Sequence, residues 1–287
     1  MTERWVTEGL HDGVRASYRA DRILFEQGTG HQHLVIYENA RFGRVMALDG
    51  VTQVTERDEF IYHEMLTHVP ILAHGKARKV LIIGGGDGGI LREALRHPQI
   101  EKVTMVEIDR AVVDMCVEHL PMISAGAFDD PRTDLVIADG AEFVRNPPDR
   151  YDVMIVDSTD PIGPGEVLFR ESFYRAAKDC LAPGGVLVTQ NGVPFMQGDE
   201  LRGTMAAFRK LFASATCYLA TIPTYAFGSM ALGWASDDAA LLDVGEDVLA
   251  ARLAAAGLST RYYNPRVHKG AFLLPTYVQR MVDGEPA

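Results

Sequence analysis

The feature that most constrains this chain is an apolar run that leads directly into a cluster of glycines. Val80–Ile83 is apolar and mostly β-branched, and Gly84–Gly89 holds five glycines and one aspartate, Asp87. Apolar residues recur at helical spacing over Ile90–His97, so the order is buried strand, glycine-rich turn and helix. Glycines let the backbone approach a ligand closely, and a helix N-terminus offers free N–H groups. The pattern therefore predicts a nucleotide-type binding loop, with a tight turn that binds nothing as the simpler alternative.

Strands and helices alternate from Lys79 onward, which is typical of a parallel sheet with helices on both faces. Residues 1–57 instead contain short apolar runs separated by turn signals such as Asp49–Gly50. The hydrophobic period becomes helical near residue 58. We therefore predict an α/β fold in which a small N-terminal antiparallel β domain, residues 1–57, precedes a Rossmann-like catalytic domain, residues 58–287.

The last third of the chain adds further elements to this sheet. A helix is predicted near Leu201–Phe212, and two late strands, Thr216–Ile222 and Met230–Ala235, complete the sheet. The tail beyond Asp238 contains helical patterns around residues 247–255 and from Pro275, and the sequence assigns it no role.

Charge and composition exclude several classes of protein. The chain has 287 residues and a formal net charge of −11, which argues against a nucleic-acid-binding protein, because such proteins contact phosphates through Lys and Arg. Cys116, Cys180 and Cys217 lie far apart and show neither a disulfide framework nor zinc-ligand spacing. No apolar run follows Met1–Trp5, and no apolar stretch has membrane-spanning length. We therefore expect a soluble, unprocessed, cytoplasmic protein.

Acidic residues follow the ends of four successive predicted strands. Asp87 lies in the glycine loop, Glu107 ends the next strand, and Asp139 and Asp157 end the two after it. Because the carboxyl ends of parallel strands line one crevice, these residues predict an acidic crevice. Glu107 follows the loop by about 20 residues, where an acidic side chain typically holds ribose hydroxyls. Asp139–Gly140 could accept from an adenine amino group or simply cap the next helix.

The position of Asp87 argues against a dinucleotide. Its carboxylate would lie where a pyrophosphate needs N–H groups and positive charge, so the crevice favours an adenosine joined to a cationic group. Asp157 and Asp160 lie three residues apart in a turn that contains Pro161 and Pro164. Their carboxylates can accept hydrogen bonds from an ammonium group or bind a metal, and a solvated acidic turn is the alternative.

A metal site has little support in the sequence. His63 and His68 are five residues apart, whereas a two-histidine zinc helix needs a spacing of four, so we predict no metal and a packing role for His68. Tyr62, His63, Gln190 and Tyr225 are further candidates for a polar pocket. Each also has an ordinary interpretation as a half-buried residue.

Four of the longer motifs resemble those of spermidine synthases, the polyamine aminopropyltransferase family. They are Asp58–Glu64, Gly84–Gly89, Val106–Asp109 and Asp157–Pro164, and the resemblance extends from about Gln32 to Trp234. Such enzymes transfer an aminopropyl group from decarboxylated S-adenosylmethionine to putrescine, which gives spermidine and methylthioadenosine. The resemblance implies a methyltransferase-type sheet, this same reaction, the decarboxylated donor as co-substrate without a prosthetic group, and a homodimer.

The resemblance also implies roles for residues of the crevice. Asp157 would be the proton acceptor, and Asp87 would bind the amine of the aminopropyl arm. Since like charges repel, Asp87 would disfavour the carboxylate of ordinary S-adenosylmethionine. The donor would be held by Gln32, Gln53, Gly84, Gly86, Glu107, Asp139, Gly140 and Pro164. Asp87 is one of the substrate-binding residues through the aminopropyl arm, and the others, which would lie around the diamine, are Tyr62, His63, Ser158, Thr159, Asp160, Gln190 and Tyr225.

Other functions remain open at this point. An S-adenosylmethionine-dependent methyltransferase would share the fold, and a non-catalytic polyamine-binding protein would share the acidic crevice. His63 stands where many relatives carry glutamine, Asn191–Gly192 follows Gln190 where others often have an acidic residue, and Ala226–Phe227 replaces a common Pro-Ser. These departures lie near the expected acceptor pocket and leave the choice among putrescine, cadaverine and agmatine open.

Overall fold

The computed structural model describes residues 3–160 and 163–285 of the chain. Its N-terminal part forms two antiparallel sheets, one of two strands and one of four. Within each sheet, every strand pairs with the next one along the chain. The two-residue turn at Asp49–Gly50 has φ of 50° and 81° at its central residues, the left-handed geometry that matches the twist of a hairpin. The strands are β1 Arg4–Glu8, β2 Ala16–Ala20, β3 Arg22–Gly28, β4 His33–Asn39, β5 Gly43–Leu48 and β6 Val51–Thr55.

A seven-stranded sheet forms the centre of the rest of the chain, in the order β12-β13-β11-β10-β7-β8-β9. Among the described strands of this sheet, β13 alone runs in the opposite direction to the other six. This order confirms the predicted Rossmann-like, methyltransferase-type sheet. The strands are β7 Lys79–Gly84, β8 Lys102–Glu107, β9 Thr133–Ile137, β10 Tyr151–Asp157, β11 Leu181–Gln190, β12 Ser214–Ala220 and β13 Met230–Ser236.

Helices cover both faces of this sheet. They are α1 Glu59–His74, α2 Gly89–Leu95, α3 Arg110–His119, α4 Pro121–Ser124, α5 Gly140–Phe143, α6 Glu171–Cys180, α7 Pro194–Leu211, α8 Glu246–Ala255, α9 Pro265–Ala271 and α10 Thr276–Asp283. Three 3₁₀ segments lie at Ala127–Asp129, Gly163–Phe169 and Ala239–Leu242.

Alternation along the central strands explains why two layers of helices are needed. Ile82 and Ile155 are fully buried in the core on the α1 side, whereas the adjacent Leu81 and Met154 are fully buried in a second core with α6 and α7. Successive side chains of a strand point to opposite faces, so a strand that is apolar throughout must be covered on both.

The N-terminal sheet packs against the helices that follow β8. Leu34 and Met46 from the sheet share a buried cluster with Val112 and Cys116 of α3 and Ile123 of α4. The N-terminal strands therefore form a wall beside the carboxyl ends of the central strands. In the part of the chain that the structure describes, no helix is both long and apolar enough to cross a bilayer.

Among the described helices, α7 differs from its prediction, and the short α4 and α9 were not predicted. Helix α7 begins at Pro194, before the predicted start near Leu201, and its backbone leaves helical geometry at Gln197. Pro194 stands at the first helical position, where its missing N–H costs no bond. Helix α9 was not predicted, because apart from its first proline it contains only two apolar residues, Val267 and Ala271, and so shows no clear helical period.

The tail beyond Asp238 has a structural role that the sequence did not indicate. The buried carboxylate of Glu64 in α1 accepts hydrogen bonds from the backbone N–H groups of Arg261, Tyr262 and Tyr263, at 2.7, 2.8 and 2.7 Å. His68, also buried on α1, stacks edge-on against the Tyr263 ring, which agrees with the packing role predicted for it. The tail thus covers α1.

Candidate active site

One cleft lies at the carboxyl ends of the central strands, where the sequence placed the acidic crevice. Every predicted site residue whose side chain is described lines it. They are Gln32, Gln53, Tyr62, His63, Gly84, Gly86, Asp87, Glu107, Asp139, Gly140, Asp157, Ser158, Thr159, Asp160, Gln190 and Tyr225. Pro161 and the side chain of Pro164 lie outside the described residues. The cleft also contains residues that the sequence analysis did not select, among them Glu8, His11 and Gln197.

The glycine loop lies directly against Asp157. Gly84 has a φ of +82°, and a Cβ added there would lie 2.0 Å from the backbone oxygen of Asp157. A Cβ on Gly85 would lie 3.1 Å from Asp157 Oδ2. Glycine is therefore required here because β7 and β10 bring the loops that follow them into contact. This requirement holds whether or not a ligand also approaches the glycine loop.

Replacing Gly84 by alanine is expected to destabilise the fold strongly. The methyl group meets backbone at an impossible distance and the backbone is left-handed, so we expect a loss of about 3 kcal/mol or more in the free energy of unfolding. The control is Gly126→Ala, which has the same φ of +82° but nothing within 4 Å of the added Cβ, and should cost about 1 kcal/mol. Urea denaturation measures both, and equal losses would contradict the contact argument.

Glu107 and its surroundings form the inner end of the cleft. Its Oε1 accepts from the Asp109 N–H at 2.9 Å, and a Cβ on Gly86 would lie 3.0 Å from its Oε2. Burial, followed by the negative charges of Asp109 and Asp157, raises the pKa of Glu107 to about 7. A buried carboxylate is stabilised by hydrogen-bond donors, and the two hydroxyls of a ribose supply a pair of them.

The side chains of Asp139 and Gln32, two other residues predicted to contact the nucleoside, are held in place by hydrogen bonds within the protein. Asp139 caps α5, since its Oδ1 accepts from the Ala141 N–H at 2.7 Å, so the capping interpretation is correct. Asp139 also lines the cleft, which keeps it available to an amino group. Gln32 Nε2 donates to Asp109 Oδ2 at 3.1 Å, which holds the N-terminal wall to the loop after β8.

Two carboxylates occupy the middle of the cleft. Tyr62 donates its hydroxyl to Asp157 Oδ1 at 2.5 Å. Burial and the charge of Asp87 raise the pKa of Asp157 to about 7, so it can change its protonation state near neutral pH. Asp87 behaves in the opposite way: its pKa is lowered despite burial, because the charge and hydrogen bond of His63 stabilise the carboxylate.

His63 brings a positive charge into this acidic region, which the sequence analysis did not foresee. Its Nδ1 lies 2.6 Å from Glu59 Oε2 and its Nε2 lies 3.4 Å from Asp87 Oδ2. Burial opposes protonation, but Asp87 and Glu59 together raise the pKa of His63 to about 10. Glu59 in turn forms an ion pair with Arg92 at 2.8 Å, so positive and negative side chains alternate from Arg92 through Glu59 and His63 to Asp87. Asp87 is therefore already partly neutralised, and a count of carboxylates overstates the negative charge of the site.

Tyr225 is held in place from two directions. Its hydroxyl donates to the backbone oxygen of Gln53 at 2.5 Å, and its ring packs edge-on against Tyr62 at 5.8 Å. The preceding Thr224 gives both its N–H and its hydroxyl to buried Asp58, at 2.9 and 2.7 Å. The start of α1 therefore fixes the aromatic wall of the cleft.

Asp160 and Gln190 lie at the far end of the cleft. Gln190 Nε2 donates to the Ser158 carbonyl at 3.0 Å and its Oε1 accepts from the Gly192 N–H at 2.7 Å. Gln197 donates to Asp160 Oδ1 at 2.5 Å, and burial raises the pKa of Asp160. Glu8 joins them from the N-terminal hairpin, its pKa raised by burial despite a hydrogen bond from Thr52.

The missed residues differ in whether a sequence signal existed. Glu59 precedes His63 by four residues on α1, a spacing that places two helical side chains on one face and could have been noticed. Glu8 lies in a strand distant in sequence, so only tertiary packing brings it here. Within residues 3–160 and 163–285, no group of three or more His, Cys, Asp and Glu side chains is arranged to hold a metal ion.

Two family models match this chain. Residues 59–244 match the spermine/spermidine synthase domain, and residues 4–56 match the spermidine synthase tetramerisation domain. Among curated proteins, the polyamine aminopropyltransferase of Ruegeria sp. (strain TM1040) is 61% identical over 279 residues, which cover 97% of this chain and 98% of that protein. Polyamine aminopropyltransferase 1 of Pseudomonas aeruginosa is 58% identical over 275 residues, 96% of each chain.

Solved structures agree with these matches. A spermidine synthase crystallised with the transition state analogue AdoDATO is 38% identical, with a TM-score of 0.92 over 98% of this chain and 97% of that one. Spermidine synthase from Thermotoga maritima is 37% identical, with a TM-score of 0.91 over 99% of this chain and 95% of that one. The chain therefore belongs to the spermine/spermidine synthase family.

Proposed function

We propose that the protein is a spermidine synthase, which transfers the aminopropyl group of decarboxylated S-adenosylmethionine to putrescine and releases methylthioadenosine. The observation that carries this proposal is the continuity of the cleft. The same cleft is lined by Glu107 and Asp139, which suit a nucleoside, and by Asp87, Asp157 and Asp160, which suit ammonium groups. Relatives named polyamine aminopropyltransferase support the same reaction.

Asp87 would bind the ammonium group of the donor's aminopropyl arm. The carboxylate stays ionised at neutral pH because His63 lowers its pKa. Its Oδ1 is held by the Gly89 N–H at 2.8 Å, which fixes the carboxylate relative to the glycine loop. An ordinary S-adenosylmethionine would bring its own carboxylate to this position and meet a like charge at close range.

Asp157 would accept the proton that the acceptor amine must lose. The amine nitrogen attacks the carbon beside the sulfonium, the C–S bond breaks, and its electron pair leaves on sulfur as a neutral thioether. The amine's proton passes to the Asp157 carboxylate. At ordinary pKa values of about 4 and about 10.4, this transfer is uphill by roughly 9 kcal/mol. A pKa of about 7 for Asp157 reduces the mismatch to roughly 5 kcal/mol, and positioning by the cleft supplies much of the remaining rate.

Asp160 would receive the second ammonium of a diamine. Putrescine is the acceptor that we propose, and cadaverine and agmatine are alternatives that keep one free amine and one distal cation. Tyr62, His63, Ser158, Thr159, Gln190 and Tyr225 line this part of the cleft. Each is proposed to contact the acceptor.

Product identification tests the function directly. The protein is incubated with putrescine and either decarboxylated or ordinary S-adenosylmethionine, and the nucleoside product is identified by mass. We expect methylthioadenosine and spermidine from the decarboxylated donor. S-adenosylhomocysteine from the ordinary donor would instead establish a methyltransferase, and amine binding without any product would establish a binding protein.

We further propose a homodimer, cytoplasmic location and a division of the chain near residue 57. The match of residues 4–56 to a tetramerisation domain supports self-association through the N-terminal part. Cys116, Cys180 and Cys217 are buried free thiols, as expected in a reducing compartment. Light scattering of the purified protein measures the number of copies.

A further inference from the structure

Gln197 lies at the break in α7, beside the acceptor end of the cleft. Its φ of −121° and ψ of 36° interrupt the helix, and the residue is only 9% exposed. The side-chain Oε1 accepts from the Val193 N–H at 2.9 Å. The same side chain donates through Nε2 to Asp160 Oδ1 at 2.5 Å, and Nε2 lies 3.2 and 3.3 Å from the two carboxylate oxygens of Glu200. One amide therefore bridges two carboxylates.

A second cavity adjoins the cleft at this point. The two share Leu10, His11, Asp160 and Gln197 as wall residues. Glu200 lines the second cavity and not the cleft. The Gln197 side chain thus stands between Asp160, at the end of the cleft, and Glu200, in the space beyond it.

The chemistry beyond Gln197 suits a cation better than it suits the amide. Glu200 is partly buried, and burial together with the charge of Asp160 raises its pKa to about 7. A neutral amide N–H offsets little of the repulsion between two carboxylates, whereas an ammonium group offsets it directly and donates stronger hydrogen bonds. Asp160 and Glu200 can therefore serve two successive ammonium groups of one polyamine.

We propose that Gln197 limits the length of the acceptor: while its amide bridges Asp160 and Glu200, the cleft ends at Asp160 and takes a diamine, and removal of the amide joins the cleft to the second cavity so that a triamine binds with its third ammonium at Glu200. This inference rests on the proposed function, because it assigns the acceptor to this end of the cleft. It makes Gln197 a specificity-determining residue.

The test compares the affinities of putrescine and spermidine by calorimetry. The donor site is filled with decarboxylated S-adenosylhomocysteine, which carries the aminopropyl arm but has no sulfonium to react. We expect the wild type to prefer putrescine at least tenfold, and Gln197→Ala to shift the ratio at least tenfold toward spermidine. Adding Glu200→Gln to that variant should remove most of the shift. Gln279→Ala, an exposed glutamine on α10, is the matched control and should leave the ratio unchanged.

An unchanged ratio in Gln197→Ala, or a shift that persists in full without the Glu200 charge, would overturn the proposal. Gln197→Asn shortens the amide by one methylene and gives the same comparison if the alanine variant does not fold. Turnover with the reactive donor is measured in parallel. Absence of turnover in the wild type would contradict the proposed function. The ratio of the affinities for putrescine and spermidine would still decide the role of Gln197.

Discussion

Asp157→Asn is expected to lower kcat about 1000-fold while the affinity for methylthioadenosine stays within about twofold of the wild type. The amide cannot accept the proton of the acceptor amine. The amide keeps the shape of the carboxylate and one oxygen that can accept from the Tyr62 hydroxyl, which lies 2.5 Å from Asp157 Oδ1 in the wild type. The nucleoside end of the cleft should therefore be undisturbed. Stopped assays of spermidine formation and calorimetry with methylthioadenosine measure the two quantities.

Asp134→Asn is the matched control for this substitution. Asp134 lies in β9, the strand that also leads to Asp139, but it forms a surface ion pair with Lys102 at 2.9 Å and is remote from the cleft. The same chemical change there should leave kcat within about twofold, since such surface pairs contribute little. Turnover of Asp157→Asn within threefold of the wild type would rule out Asp157 as the proton acceptor.

The pH profile gives an independent check on the same residue. A proton acceptor must be ionised, and the pKa of Asp157 is about 7 in the free protein. The value of kcat/KM should therefore fall as the pH is lowered through about 7, because the protonated carboxyl cannot accept a proton. The pKa of Glu107 is also about 7, so kcat/KM for putrescine is measured with the donor saturating, and under that condition the residual activity of Asp157→Asn should lack the acidic limb.

Asp87→Asn is expected to weaken the distinction between the two forms of the donor. We expect kcat/KM for decarboxylated S-adenosylmethionine to fall about 100-fold, because a charge-assisted hydrogen bond to the ammonium is lost. The affinity for ordinary S-adenosylmethionine should rise about tenfold, because its carboxylate then meets a neutral amide and the cation of His63. Initial rates give the first quantity and competitive inhibition the second.

The control for this pair of measurements is Asp179→Asn, an exposed position on α6. It removes one negative charge from the protein without touching the cleft, so both quantities should stay within about twofold. If Asp87→Asn changes the two donors in parallel, the carboxylate contributes to affinity but not to the choice between them.

The position of the site was predictable because it follows from strand topology. Asp87, Glu107, Asp139 and Asp157 each follow an apolar run, and a parallel sheet brings such ends to one edge whatever the details of packing. The glycine loop was equally visible, although its tightest contact is with the Asp157 backbone rather than with a ligand. Local pattern and general topology were sufficient for these features.

The charge state of the site and its outer boundary were not predictable in this way. The proton on His63 depends on Glu59, four residues earlier on α1, and on Asp87, which comes near His63 only in the folded protein. Gly198 stands beside the break, but a glycine inside a helical pattern does not show which residue leaves helical geometry, and here Gln197 does so and reaches Asp160. Burial and long-range contacts decide both features, and neither has a sequence period.

The three backbone hydrogen bonds to Glu64 make catalysis depend on a part of the chain that never reaches the substrate. Glu64 directly follows Tyr62 and His63 on α1, and residues 261–263 supply all three donors. If a protease released the segment beyond residue 260, a buried carboxylate would lose every one of these partners at once, and α1 would shift or fray to reach water. We therefore expect cleavage there to lower activity, even though residues 261–263 do not line the cleft.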